Sequence, residues 1–371
     1  MKKMYLQWLA LMCTVPFSLF AIVPFSPVAP QPHIENVIII TTDGFRWQEV
    51  FKGMDSTIAE MDKFNQERKK EIYAKYGANT AQERRKKLLP FLWTTLGSQG
   101  ELFGNRTLGN KVNVTNPYWF SYPGYSEIFC GYVDTLINTN HYKANPNTTL
   151  LEFLNQQPAY HNKVAAFAEW DAFDKILNSK RAGFPVYCGA DVTSFTHDSA
   201  QSLINLMKAD SYLPFDSTSY LDVFTQYSAM NYLQKKHPKV MYISYGETDE
   251  WAHEGHYLDY LDAAHRVDKW IGDLWNYIQR TPQYKDKTLL MVTCDHGRGD
   301  SDKTKWTSHN AKIVGANEIW LGLIGPGIQP TGEQTKDGQI YQAQYAQTIA
   351  HFLGLDFKCE HPVMKAIEFT H

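Results

Sequence analysis

Asn36-Val37-Ile38-Ile39-Ile40-Thr41-Thr42-Asp43-Gly44 is an unbroken, β-branched apolar run that closes on an acid and a glycine. A run of this kind, with no polar alternation, reads as a strand buried on both faces, which is the signature of a parallel sheet covered by helices. The same grammar returns from Lys239 to Asp249 (KVMYISYGETD) and from Thr288 to Gly297 (TLLMVTCDHG). Three buried strands that end in acids predict an α/β fold. In open α/β sheets the ligand crevice lies outside the carboxyl ends of the strands, so Asp43, Asp249 and Asp295 are expected to converge despite their separation in sequence.

Outward from these strands, Ser56 to Tyr76 and Ala81 to Gly97 read as helices, the first carrying Glu71 and Lys75 four residues apart. Leu150 to Gln156, Tyr257 to Gln279 and Tyr341 to Leu353 are further helices, and Lys163 to Ala168 and Ile319 to Ile324 are short strands. The stretch from about Arg181 to Lys236 has weaker periodicity and scattered Ser, Asp, Tyr and Pro, and is expected to be an insertion beside the crevice rather than core sheet.

At the amino end, Lys2 and Lys3 precede an apolar run from Met4 to about Val23, followed by the proline-rich stretch Pro24 to Pro32. This reads as a secretory signal peptide over residues 1–21, a linker over 22–35 and one domain over 36–371, hence an exported protein of the periplasm or the exterior. After removal of the signal, Cys130, Cys188, Cys294 and Cys359 remain, an even number compatible with one or two disulfides. None forms a C-x-x-C pair, so a zinc ribbon or thioredoxin-type site is unsupported. Of 371 residues, 43% are hydrophobic and 20% charged, which excludes a disordered chain. The 36 Lys and Arg are offset by 39 Asp and Glu with no basic block, which argues against a nucleic-acid duplex as partner.

The strand ends carry metal-ligand chemistry. Asp295-His296 offers a carboxylate and an imidazole, and Asp249 with His253 presents a second such pair one helical turn apart. His309 lies in a loop shortly after and is placed to reach the same crevice. In the segment from Phe120 to Gly131 (FSYPGYSEIFCG), Ser121 stands just before a Pro-Gly corner and an apolar helical pattern, where amides at a helix start favour anions. Ser121 is therefore the preferred nucleophile, with Ser126 its competitor inside the predicted helix.

Taken in order, Asp43-Gly44, Ser121-Tyr122-Pro123, Asp249 to His253, Asp295-His296-Gly297 and His309 resemble the alkaline phosphatase superfamily, most closely its nucleotide pyrophosphatase/phosphodiesterase-like branch. The resemblance covers nearly the whole mature chain. It implies an alkaline-phosphatase-like α/β sandwich with a mostly parallel central sheet flanked by helices, and a small cap made of insertions near residues 53–100 and 181–236. It also implies two zinc ions, one held by Asp43, Asp295, His296 and the Ser121 oxygen, the other by Asp249, His253 and His309. Three carboxylates and a serine alkoxide give four negative charges, which two divalent cations balance.

The branch carries an Asn one loop beyond the nucleophile to bind a phosphoryl oxygen; Asn138 and Asn140 are in range and Asn140 is the choice made here. Typical phosphodiesterase members carry Thr and then Asn-His after the proline, whereas this chain has Ser121 and Gly124-Tyr125. Sulfatases need x-Pro-x-Arg, and Tyr125 stands at the Arg position, which disfavours that activity. Arg298 either pairs with a phosphate oxygen or lies on the surface. The expectation is a zinc-dependent hydrolase of small phosphate esters or nucleotides, first of phosphodiesters, with no membrane contact beyond export. Phosphomonoester hydrolysis on the same site, phosphoryl transfer and an inactive exported binding protein are the alternatives.

Overall fold

A computed structural model describes residues 33–141, 143–191, 198–215 and 218–369. Residues 1–32, where a signal peptide and most of a linker are expected, lie outside the described residues. The three diagnostic runs form β1 (Asn36–Thr42), β6 (Val240–Tyr245) and β7 (Thr288–Thr293), every residue of which is buried. Their neighbours in the large sheet are β2 (Glu101–Phe103), β4 (Val164–Ala168), β5 (Val186–Cys188), β9 (Leu321–Ile324) and β10 (Gly332–Glu333), in the order β10-β2-β9-β7-β1-β6-β4-β5. The pairs from β7 through β1, β6 and β4 to β5 are all parallel, and β9 runs antiparallel to both β7 and β2. A second sheet joins β3 (Asn110–Asn113), β8 (Glu318–Ile319) and β11 (Gly338–Tyr341). The expected mostly parallel, helix-flanked architecture is the one observed.

Register decides what the sheet can do. Thr42 pairs with Tyr245 and Thr41 with Thr293, so the residues that follow β1, β6 and β7 emerge side by side. β1 and β6 are followed by β2 and β7 on the β10 side of the sheet, whereas β4 is followed by β5 at the opposite edge, so the connections part between β6 and β4, the kind of place where a crevice opens in α/β sheets. The longest helix, Tyr257–Arg280, buries Leu258, Leu261, Ala264, Val267, Ile271, Leu274 and Ile278, the three- and four-residue spacing of one apolar stripe.

Four expectations are corrected. Ser56 to Tyr76 is not one helix but three, Ser56–Ala59, Asp62–Asn65 and Lys69–Tyr76, because Gln66 and Glu67 adopt left-handed φ values of 45° and 62°. Ala81 to Gly97 breaks after Leu88 and resumes as a π-helix at Leu92, with Pro90 between. Ile319 to Ile324 divides between the two sheets at Trp320, whose indole donates to the Phe45 carbonyl at 2.9 Å. Within 181–236, Val186–Cys188 does enter the main sheet, as its edge strand. The four cysteines are free thiols, three of them buried.

Candidate active site

Asp43 is the first residue after β1, held in line by its amide, which donates to the Tyr245 carbonyl at 2.8 Å. The chain then turns through Gly44 at φ 55°, whose amide donates to Asp295 Oδ1 at 3.0 Å. A Cβ at Gly44 would stand 2.5 Å from Asp249 Oδ1 and 2.7 Å from the Arg298 guanidinium, so close approach and a left-handed turn both require glycine here. The buried Tyr125 hydroxyl donates to Asp43 Oδ2 at 2.9 Å, which gives the residue at the sulfatase arginine position a different task, fixing a ligand carboxylate.

Ser121 opens the helix Ser121–Cys130 after an extended Phe120, and Pro123 occupies its first turn, where an amide would have no helical partner. Gly124 lets that turn lie against β7's exit: a Cβ there would be 2.5 Å from the Asp295 carbonyl. The helix is tied down by Glu127, fully buried, whose carboxylate accepts from the amides of Thr115 (2.9 Å), Asn116 (2.8 Å) and Ala343 (3.1 Å) and from Asn116 Nδ2 (2.9 Å). Ser126, the competing nucleophile, hydrogen-bonds Asn145 within the protein and does not line the cleft. Asn140 does: its Oδ1 accepts from the Tyr122 amide at 3.1 Å, which turns its Nδ2 donor elsewhere.

Asp249 and His253 share the helix Glu247–His253 after β6, and Asp249 Oδ2 lies 3.0 Å from His253 Nε2. The start of this helix is fixed by a reciprocal arrangement. Asp222 accepts from the amides of Gly246 (2.8 Å) and Glu247 (3.1 Å), while Glu247 accepts from the Asp222 amide at 2.9 Å and pairs with Arg266 at 2.7 Å. His309 follows the 3₁₀ turn Lys303–Thr307, and its Nε2 lies 3.0 Å from His253 Nε2 and 3.7 Å from Asp249 Oδ1.

These residues meet at His296. Its Nε2 is 3.3 Å from Asp43 Oδ1, 3.4 Å from Asp295 Oδ2, 3.9 Å from Asp249 Oδ1 and 3.3 Å from Ser121 Oγ, and its ring stacks on His309 with centroids 3.9 Å apart. Two ligand groups result, Asp43-Asp295-His296 and Asp249-His296-His309, each with donor atoms within 4.8 Å of one another. The geometry thus departs in one respect from the ligand sets implied by resemblance: His296 belongs to both groups, and His253 joins through Asp249 and His309.

The electrostatics demand positive charge. Burial, together with Asp249, pushes the Asp43 carboxyl up, and burial with Asp43 pushes Asp295 well up. Burial works against a charged His296, but the Asp295 and Asp43 carboxylates overcome it and lift the ring to about 9. Burial also disfavours a charged Asp249, yet the Arg298 guanidinium, with the neighbouring His253 and His309, holds its carboxyl well below the usual range. Burial and the neighbouring His296 charge keep His309 neutral far below its ordinary value. The buried Oδ1 of Asp43 and Oδ2 of Asp295 have no hydrogen-bond partner. Crowded carboxylates with orphaned oxygens beside imidazole nitrogens are the donor set of a transition-metal site, and the residues fit divalent ions.

Arg298, Arg46 and Glu169 join the site in ways the sequence did not show. Arg298 is not on the surface. It is fully buried, donates to the Trp306 and Thr307 carbonyls at 2.9 Å each and pairs with Asp249. Arg46 is likewise buried, forked onto Glu49 at 2.7 and 2.8 Å, with the Tyr257 hydroxyl donating to the same carboxylate at 3.0 Å. Glu169, at the end of β4, completes the cleft wall with Trp170.

Comparison with known structures agrees with this architecture. The crystal structure of the alkaline phosphatase PafA matches at 12% identity and TM-score 0.56, over 92% of this chain and 99% of that one. A putative sulfatase from Bacteroides thetaiotaomicron matches at 15% identity and TM-score 0.56, over 89% and 73%. The lipoteichoic acid synthase LtaP from Listeria monocytogenes matches at 13% and 0.54, over 88% and 73%. At these identities the likeness is one of fold, the alkaline-phosphatase-like fold. No curated protein matches the chain. The family model for type I phosphodiesterase / nucleotide pyrophosphatase matches residues 51–351, a span that holds every candidate residue but Asp43. On the extent of that match, most of its length, the chain belongs to the type I phosphodiesterase / nucleotide pyrophosphatase family.

Proposed function

We propose that the protein is an exported hydrolase of phosphate esters that acts through Ser121 and two divalent metal ions, zinc by donor chemistry, with phosphodiesters or nucleotide pyrophosphates as preferred substrates. The observation that carries this reading is the position of Ser121 Oγ, 3.3 Å from the imidazole nitrogen around which both ligand groups gather. Asp43, Asp295, His296 and Ser121 Oγ would hold one ion, and Asp249, His253 and His309 the other. When bound, such ions supply a lowered serine pKa and positive charge opposite the attacking and leaving oxygens.

The chain's own groups account for the rest. Ser121 Oγ attacks phosphorus, and as the new bond forms the bond to the leaving oxygen breaks on the opposite side, the proton lost by the serine ending on that departing alcohol. Asn140, its Oδ1 engaged by the Tyr122 amide, offers Nδ2 to a phosphoryl oxygen as charge develops there. Water then displaces Ser121 from the phosphoserine, its oxygen bonding to phosphorus and one of its protons passing to the serine oxygen. Residues 53–100 and 181–236 form the cap in this reading, the latter reaching the cleft through Thr218 and Ser219. Export is supported by Lys2, Lys3 and the apolar run that follows.

The test is a paired assay of the purified protein, zinc-loaded and chelated, on p-nitrophenyl phosphate and the p-nitrophenyl diester of thymidine monophosphate. The expected result is metal-dependent hydrolysis with higher kcat/KM on the diester. Higher kcat/KM on the monoester would make the protein a phosphatase, and activity indifferent to chelation would overturn the two-metal reading.

A further inference from the structure

We propose that Arg298 makes the two metal positions unequal, so that the ion at Asp43, Asp295 and His296 is held tightly while the ion at Asp249, His253 and His309 is held weakly and binds together with the anionic group of the substrate. The inference deepens the proposed function and rests on its two-ion reading. Arg298 follows the turn Asp295-His296-Gly297, and its guanidinium is fixed at all three nitrogens. Nε donates to the Trp306 carbonyl and Nη2 to the Thr307 carbonyl, both at 2.9 Å, while Nη1 donates to Asp249 Oδ1. The side chain is buried completely, and Gly44 packs so closely that a Cβ there would stand 2.7 Å from Nη1. An arginine is a permanent cation, so a positive charge is built into the second position.

The first position has no such cation. It is faced by two carboxylates, Asp43 and Asp295, whose Oδ1 and Oδ2 respectively have no hydrogen-bond partner. The second has a single carboxylate, and neither of its oxygens is orphaned: Asp249 Oδ1 accepts from Arg298, and Oδ2 lies 3.0 Å from His253 Nε2. Asp249 and Arg298 cancel, and the two imidazoles bring no negative charge, so a second dication would enter a net neutral donor set roughly 4 Å from the first. His253 is also the open end of the site, its side chain 45% exposed where that of His296 is 0% exposed. The acids of the cleft wall do not restore the balance. Burial, with the neighbouring Asp222, pushes the Glu169 carboxyl well up, and Glu250 belongs to neither ligand group. With Arg298 counted, Asp43, Asp249, Asp295 and the Ser121 alkoxide sum to three negative charges against the four positive charges of two ions. A phosphate group in the cleft supplies the missing charge, so phosphate and the second ion each raise the affinity for the other by the same factor.

The chelated protein would be dialysed to equilibrium against chelator-buffered zinc over a range of free concentrations, with zinc per chain read by elemental analysis. The expected isotherm has two steps of one ion each, separated by at least about a hundredfold in free zinc. Inorganic phosphate is expected to draw the second step at least about tenfold lower and to leave the first in place. A second step indifferent to phosphate would overturn the proposal, and that result involves no variant and no question of folding. His253→Ala, altered at the exposed end of the site, is expected to lose the second step alone; loss of the first step instead would reverse the assignment and end the argument. Arg298→Gln is expected to move the second step toward the first, a gain in affinity where a merely structural arginine would give a loss. Arg298→Lys, which keeps the charge, is expected to keep the gap. A second step weakened or unmoved in folded Arg298→Gln takes away the part given to Arg298. Two ions bound with equal affinity would leave the proposed function standing and remove this inference, whereas a protein that never holds a second ion, with phosphate or without, fails both.

Discussion

At the residue scale, Ser121 and Gly44 show two ways in which one side chain, or its absence, controls the chemistry. Ser121 Oγ lies beside the donor atoms gathered on His296, so its loss removes the proposed nucleophile and leaves those donors in place. Ser121→Ala is expected to lower kcat at least about a thousandfold, with metal content unchanged by elemental analysis. Retained activity would transfer the nucleophile's part to another group. Gly44 is different, since a methyl there enters the space of Asp249 and Arg298 and also strains a φ of 55°. Gly44→Ala is expected to cost about 1–3 kcal/mol in denaturant unfolding and to weaken metal retention on dialysis. A variant with native stability and metal content would show that the turn relaxes freely. Asp43, Asp249 and Asp295 were legible before any coordinates because each ends a continuous apolar strand. Arg298 was not, because its burial depends on a carboxylate 49 positions away that sequence proximity does not bring to mind.

At the scale of elements, β1, β6 and β7 were readable since doubly buried parallel strands have no polar alternation to disguise them. Ser56 to Tyr76 misled for the opposite reason: its breaks fall at Gln66 and Glu67, residues that give no turn signal, and are imposed by contacts such as Gln66 Nε2 donating to the Gly255 carbonyl at 3.1 Å. Likewise β8 and β9 read as one strand, and the parting at Trp320 comes from an indole bond to residue 45. The helix Ser121–Cys130 was foreseen, but its anchor was not. Glu127 draws amides from residues 115, 116 and 343 onto both of its oxygens, so an amide replacement turns a donor toward donors. Glu127→Gln is expected to destabilise the protein by about 3 kcal/mol and to lower kcat more than it raises KM, because Ser121 loses its fixed position. Unchanged unfolding midpoints would mean that the helix is held by its apolar face alone.

Across the whole molecule, the centre of the sheet carries a charge problem that folding alone does not solve. Sheet register forces Asp43 and Asp295 together, both buried, and without metal their carboxyls are pushed up by burial and by acidic neighbours. A group whose folded pKa is raised stabilises the fold fully below its unfolded value and loses that contribution as pH rises through the folded one. Asp43 and Asp295 act in this sense, and so does His296, raised to about 9, whose contribution fades from about pH 6.5 to 9. Asp249 and His309 are shifted the other way, and their contributions are lost only as pH falls, below about 4 and below about 6.5 respectively, so neither opposes the trend above pH 7. Chelated protein is therefore expected to lose thermal stability steadily from pH 7 to 9. Metal-loaded protein, in which divalent charge replaces the missing protons, is expected to hold its Tm, stabilised in addition by the free energy of metal binding. Calorimetric Tm values for the two forms across this window should diverge as pH rises. A constant or shrinking difference would mean that the converging acids are neutralised by something other than metal, and the charge argument for a two-ion centre would fall with it.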